Sequence, residues 1–326
     1  MRIREMRKKA REALKGRWWQ VIPITLFIQI LGLILGFGFS YLSTLASDNT
    51  AINIIISVGA LIGYIVYIAF VCVLSYVFVG KTIKFNRGED ITFGNYLKTL
   101  PSNIGRALKV TIFNIGYILK RIWMFLVLLV LSIVVAACFN NNETIVLITG
   151  IIFLISYIIA IVKGVIASFD YSLIYFLSND YQDRQLKELF NKSKELMYGN
   201  RAKFLILPVT LIGWYILSMV PLYAGSIAIN IIWTPISYFG QTFLTAPTWI
   251  IIVSQFLVLF TAPVIVYILL TTTNFYEAFN PQEIFSEEYV KPEINSKKYV
   301  IVSSIIIGLP ILLYIVLALV IAFSMV

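Results

Sequence analysis

Lys163 and Asp170 are two ionisable residues inside one long apolar run, "ISYIIAIVKGVIASFDYSLIYFL". A charge among hydrocarbon is costly, which makes each a functional candidate until a partner accounts for it. Seven residues apart, they fall on one face of a helix, about two turns from each other. Two readings stand. They form an ion pair beside an inner cavity, as a transport site would need. Or both lie at the inner interface, with the Lys163 stem snorkelling towards water.

Other chemistries are poorly supplied. Lys163 with Ser156 or Ser168 would make a Ser–Lys dyad, but the spacing is not diagnostic. An intramembrane aspartyl protease needs two carboxylates in one site, and Asp170 is the single acid of its run. The chain has no histidine, which removes His-based triads, proton relays and the commonest metal ligand. No P-loop or dinucleotide glycine pattern is present. Cys72 and Cys138 sit in apolar runs and read as small buried hydrophobes. No catalytic, cofactor-binding or metal-binding residue is expected, and no cofactor. Gln29, Asn53, Asn114, Asn230 and Gln255, in or near spans, are expected to bond between helices.

The elements that must position these residues follow from composition. Hydrophobic residues make up 60% of the 326-residue chain and charged residues 13%, with a mean hydropathy of +0.88. A soluble domain carries about 25% charged residues, so the bilayer must be the solvent. The formal charge of +10 points to anionic headgroups of an inner leaflet rather than to nucleic acid. No cleavable signal peptide is seen. The fold class expected is all-α: a polytopic helical membrane protein with about six core spans and one further C-terminal span.

Residues 1–19 open with eight Lys/Arg against two Glu, followed by Trp18 and Trp19, and predict a basic amphipathic surface helix. Residues 20–177 form a first membrane half, with spans near 20–43, 51–79, 122–139 and 144–162. The run 144–177 exceeds one span, and Lys163-Gly164 interrupts it, so that an interfacial helix or a kinked continuation is expected after residue 162. Residues 80–121 read as a basic loop with an amphipathic part, its end, 107–121, reading as a surface helix or the tilted start of the next span. Gly32-x-x-x-Gly36 and Gly59-x-x-x-Gly63 are weak small-residue contact signals. Residues 178–203 hold six Lys/Arg and a second amphipathic helix. Residues 204–280 are a second membrane half, with spans near 204–230 and 248–272. Between those spans, "IIWTPISYFGQTFLTAPTW" reads as an outer interfacial or re-entrant segment. An acidic linker, 281–298, precedes the last span, 299–326. With the N-terminus inside, the basic residues fall on cytoplasmic segments or their flanks and none on the outer loops, so the C-terminus is expected outside.

One segment occurs twice. "KAREALKG", Lys9–Gly16, aligns without gaps to "KSKELMYG", Lys192–Gly199. Each copy continues into a basic or aromatic flank and a Pro-x-Thr-Leu, at Pro23 and at Pro208. Gly16 and Gly199 read as turns from surface helix into bilayer, and Pro23 and Pro208 as prolines in the first turns of a span. Both copies lead inward from the same side, which makes the repeat parallel.

"REMRKKAREALKGRWW" and "SKELMYGNRAKFLILPVTLIGWYIL" resemble the two marked blocks of the DUF975 family of bacterial integral membrane proteins. Pro263, Tyr267, Thr271 and Phe275-Tyr276 match its ending. The resemblance covers about residues 1–280. The family's Ile-Pro-Gly turn is missing, with Val162-Lys163-Gly164 in its place, and the 299–325 span lies beyond the usual end. The resemblance implies a plasma-membrane protein without a settled activity and supplies no catalytic residues. The expected role is a non-enzymatic accessory, scaffold or self-protection factor, of the kind that confers bacteriocin immunity, with other membrane proteins as partners. The alternative is a transporter or permease subunit with a site near Lys163 and Asp170.

Overall fold

The computed structural model describes residues 2–44, 50–139, 142–239, 256–286 and 289. Among these the chain is all α-helical, with no strand. Ten α-helices follow in order: α1 Ile3–Leu14, α2 Trp18–Thr44, α3 Thr50–Asn86, α4 Phe93–Cys138, α5 Glu143–Asp170, α6 Ile174–Asp180, α7 Leu186–Met197, α8 Arg201–Val209, α9 Ile212–Phe239 and α10 Ala262–Glu277. A short 3-10 helix, Leu257–Thr261, leads into α10.

Among the described residues, six helical stretches are long and apolar enough to span a bilayer: Trp18–Gly36, Asn53–Asn86, Phe93–Cys138, Thr144–Asp180, Arg201–Gly225 and Leu257–Glu277. Their side chains point outward in bulk, with Ile55 71% and Leu147 63% exposed. Water would not tolerate so large an apolar surface, whereas lipid does. Backbone polar groups in hydrocarbon must pair within their own segment, so β-branched runs such as Ile54–Ile56 still fold as helix. The chain is a multi-pass membrane protein.

Several boundaries differ from the sequence expectation. The basic loop of 80–121 shrinks to Arg87–Thr92, because α3 runs on to Asn86 and α4 begins at Phe93. α5 passes unbroken through Lys163-Gly164 and stops at Asp170. A Cβ on Gly164 would lie 3.8 Å from Ile122, so that glycine marks the packing of α5 on α4, not a break. Residues 231–239 continue α9 as helix. The rest of the expected outer segment, and the 299–325 span, lie outside the described residues. The span expected at 204–230 is split: α8 ends after Pro208, and the Leu211 amide turns back to the Pro208 carbonyl at 2.9 Å. Proline removes a helical hydrogen bond, and Thr210 and Gly213 nearby are weak helix formers. Pro23 is the sixth residue of an unbroken α2 and Pro208 the eighth of α8, both beyond the first turn. Gly32 packs against Tyr67, 3.2 Å from its virtual Cβ, but Gly36 and Gly59 face open space. Cys138 is exposed at the end of α4 and Cys72 half-buried, so neither is the fully buried hydrophobe expected.

The chain divides into two compact units, with divisions inside α4, inside α8 and just after α10. The first unit comprises Met1–Leu108 and Pro208–Ala278. Here α1 lies on the end of α10 with Met6, Ala10 and Leu14 wholly buried. The Asn274 amide donates to the Met6 carbonyl at 3.1 Å and the Tyr267 hydroxyl to the Arg7 carbonyl at 3.2 Å. Arg17 donates to Asp90 at 3.0 Å and covers the Phe85 ring, and Gln20 donates to Asp90 at 2.9 Å. Gln29 donates to Thr261 at 2.7 Å, an interhelical bond of the kind expected.

The second unit comprises Lys109–Leu207 and the described residues from Phe279 on. α7 presents Leu189, Phe190, Ser193, Leu196 and Met197 as its buried stripe and packs on α5 and α6. The two amphipathic helices correspond residue for residue at an offset of 183. Both have 12 residues, and both are followed two positions on by a glycine of positive φ, +76° at Gly16 and +81° at Gly199. Their apolar stripes are buried in protein, so the surface location expected of them rests on their charged faces.

Candidate intramembrane polar site

Asp170 closes α5, where the last carbonyls leave a partial negative charge. A carboxylate is unfavourable there, and this one has no solvent exposure at all. Two arginines compensate. Arg121, midway along α4, donates Nη1 to Oδ2 at 2.6 Å. Arg201, the first residue of α8, donates Nε to Oδ1 at 2.5 Å. The Asp170 backbone carbonyl, one of the orphan acceptors at a helix end, accepts the Ser193 hydroxyl of α7 at 2.8 Å. One residue thus ties α4, α5, α7 and α8 together.

Aromatic rings flank the arrangement. Tyr117 stacks on Phe190 with centroids 4.7 Å apart, and Tyr171 meets Phe190 edge-on at 5.4 Å. Tyr117 and Tyr171 are themselves 5.5 Å apart. The Arg121 guanidinium lies over the Tyr171 ring and that of Arg201 over Tyr198. Low dielectric inside this shell strengthens the two ion pairs.

Lys163 is not part of the cluster. Its ammonium lies over the Phe125 ring at 4.5 Å, and its side chain is exposed. The Lys163–Asp170 pair considered from sequence is therefore replaced by Arg121–Asp170–Arg201. The snorkelling reading fits Lys163, while Asp170 is buried. The Ser168 hydroxyl donates to the Gly164 carbonyl at 2.9 Å, a bond within its own helix, and Ser156 is buried.

The other singled-out residues serve the backbone. Gly16 and Gly199 adopt the left-handed conformation that each turn requires, with nothing within 4 Å of a virtual Cβ. Glycine is needed there for its φ and not for space. Arg121 and Arg201 escaped the sequence reading because each heads an apolar run and looks like an ordinary basic flank. The usable signal was the unpaired acid itself: a buried carboxylate demands a cation.

The first unit holds a cavity of about 380 Å³ between α2, α3 and α10, lined by Gln29, Ser75, Phe78, Ile265 and Thr272 among others. The Thr261 hydroxyl donates to the Val258 carbonyl, so it can only accept from Gln29. That fixes the amide, and leaves the Gln29 Oε1 buried without a donor.

Fold and site together define a helical multi-pass membrane protein whose buried acid is clamped by two arginines. The chain belongs to the family described as protein of unknown function DUF975, whose model matches residues 1–283. No curated protein and no solved structure matches it.

Proposed function

We propose that this protein is a non-enzymatic accessory, scaffold or self-protection component of the bacterial plasma membrane, for which bacteriocin immunity is the model. The observation that carries this reading is the closure of Asp170. Each of its carboxylate oxygens is engaged by an arginine and its backbone oxygen by Ser193. A carboxylate held this way staples helices, and neither of its oxygens is left without a protein partner. In this reading other membrane proteins are the partners, the N-terminus lies in the cytoplasm and the basic flanks meet the anionic inner leaflet; the last two rest on charge. The support for this is the distribution of Lys and Arg along the chain.

The second reading is a transporter or permease subunit. Its original location, near Lys163 and Asp170, is disfavoured by the double clamp. The apolar cavity with the unsatisfied Gln29 oxygen is the feature that supports it instead. The two readings part in one experiment. Cells expressing the chain are challenged with pore-forming peptides, and the purified protein is reconstituted into proteoliposomes for solute and ion flux. The accessory reading expects protection or a stoichiometric membrane partner, and no flux that depends on the protein. Flux abolished by Gln29→Leu would overturn it in favour of transport.

A further inference from the structure

We propose that Arg121 and Arg201 form a binding site for the phosphate of an anionic membrane lipid. The charges of the cluster do not balance, since two guanidinium groups face one carboxylate. Among the described residues no second acid pairs with either arginine. Asp170 takes one nitrogen from each, Nη1 of Arg121 and Nε of Arg201, although each guanidinium carries five N–H donors. The remaining nitrogens are not shut away. Neither arginine has a buried, unpartnered nitrogen, and their side chains are 28% and 31% accessible.

Arg121 also donates to the Tyr171 hydroxyl, and the donors that remain on the two guanidinium groups are held in place. The shared carboxylate pins one edge of each guanidinium, and an aromatic ring lies against each face, Tyr171 at 5.5 Å and Tyr198 at 5.7 Å. Little side-chain entropy is left to lose on binding. Two forks on one anchor suit a tetrahedral phosphate, whose oxygens accept from guanidinium in pairs. The flanks carry the residue types of a headgroup region: Lys120 precedes Arg121, and the aromatics Trp123 and Tyr198 lie beside the pair. A lipid phosphate at that level supplies the missing negative charge. This holds whether the protein is an accessory factor or a transporter.

The test uses the full chain, purified in detergent with phosphatidylglycerol or with phosphatidylcholine, and counts retained lipid by native mass spectrometry. The wild type is expected to retain phosphatidylglycerol in preference to phosphatidylcholine. The Arg121→Gln, Arg201→Gln double variant should retain about tenfold less, as losing charge-assisted bonds implies. Should that variant lose helicity, the Arg121→Lys and Arg201→Lys variants decide, because they keep the charge and lack the fork. Each is expected to lower retention. Unchanged retention in the lysine variants would overturn the proposal, as would equal retention of the two lipids by the wild type. Displacement of the lipid by excess inorganic phosphate would assign the site to a soluble anion and overturn the lipid assignment.

Discussion

Asp170 occupies the position on α5 least suited to a carboxylate, and that is why its arginines matter. Removing one partner of a buried ion pair costs about 3–5 kcal/mol. Both arginines keep some access to solvent, so the lower end applies. Asp170→Asn is expected to destabilise the protein by about 3 kcal/mol in detergent unfolding. Lys163→Gln, which removes only an exposed contact with Phe125, should cost under about 0.5 kcal/mol. Equal effects of the two substitutions would refute the clamp. A second acid sits outside the spans. Hydrogen bonds from Gln20, then from Arg17, hold the Asp90 carboxyl below its ordinary value. A depressed folded value stabilises above the unfolded one, near pH 4, and that contribution is lost as pH falls through the folded value. Asp90 is highly exposed, so the effect is small. Between about pH 5 and pH 3, the melting temperature of the wild type should fall more than that of Asp90→Asn. Parallel curves would show that the tie contributes nothing.

At the scale of elements, the amphipathic helices carry the repeat. Met6 corresponds to Leu189, Ala10 to Ser193 and Leu14 to Met197, all of them buried. The small residue at the centre of each stripe lets the helix lie close on its support, and Ser193 uses that closeness to reach Asp170. Ala10→Leu and Ser193→Leu are expected to destabilise by about 1–3 kcal/mol through overpacking, read as lower thermal midpoints. Gly16→Ala and Gly199→Ala should each cost about 1 kcal/mol, because a Cβ disfavours the left-handed conformation even in open space. Unchanged midpoints would mean the turns relax to another conformation. The copies diverge beyond the turn, where α2 continues past Pro23 and α8 does not continue past Pro208.

For the whole molecule, topology is the property to test. Alkaline phosphatase fused after Asn142, in the loop before α5, should be active, and after Gly88, between α3 and α4, inactive. The reverse pattern would invert the proposed orientation. The sequence by itself determined the helical membrane class, the family and the repeated unit, because these rest on local quantities. Hydropathy over some twenty residues, the 3.6-residue period and a glycine before a basic flank are all legible along the chain. Where the sequence reading differs from the structure, the signal is also local: the hydropathy dip at Lys163-Gly164 reads as an interruption although α5 runs through it, and the basic residues of 80–121 read largely as loop although most lie in α3 and α4. Partner choice was decided by the tertiary structure alone. Lys163 and Asp170 are close in sequence and share a helix, but a side chain bonds what lies within about 3 Å of it. Arg121 and Arg201, 49 and 31 residues away from Asp170, meet that condition only once α4, α5 and α8 have packed. The same packing decided that the apolar faces of α1 and α7 are covered by protein.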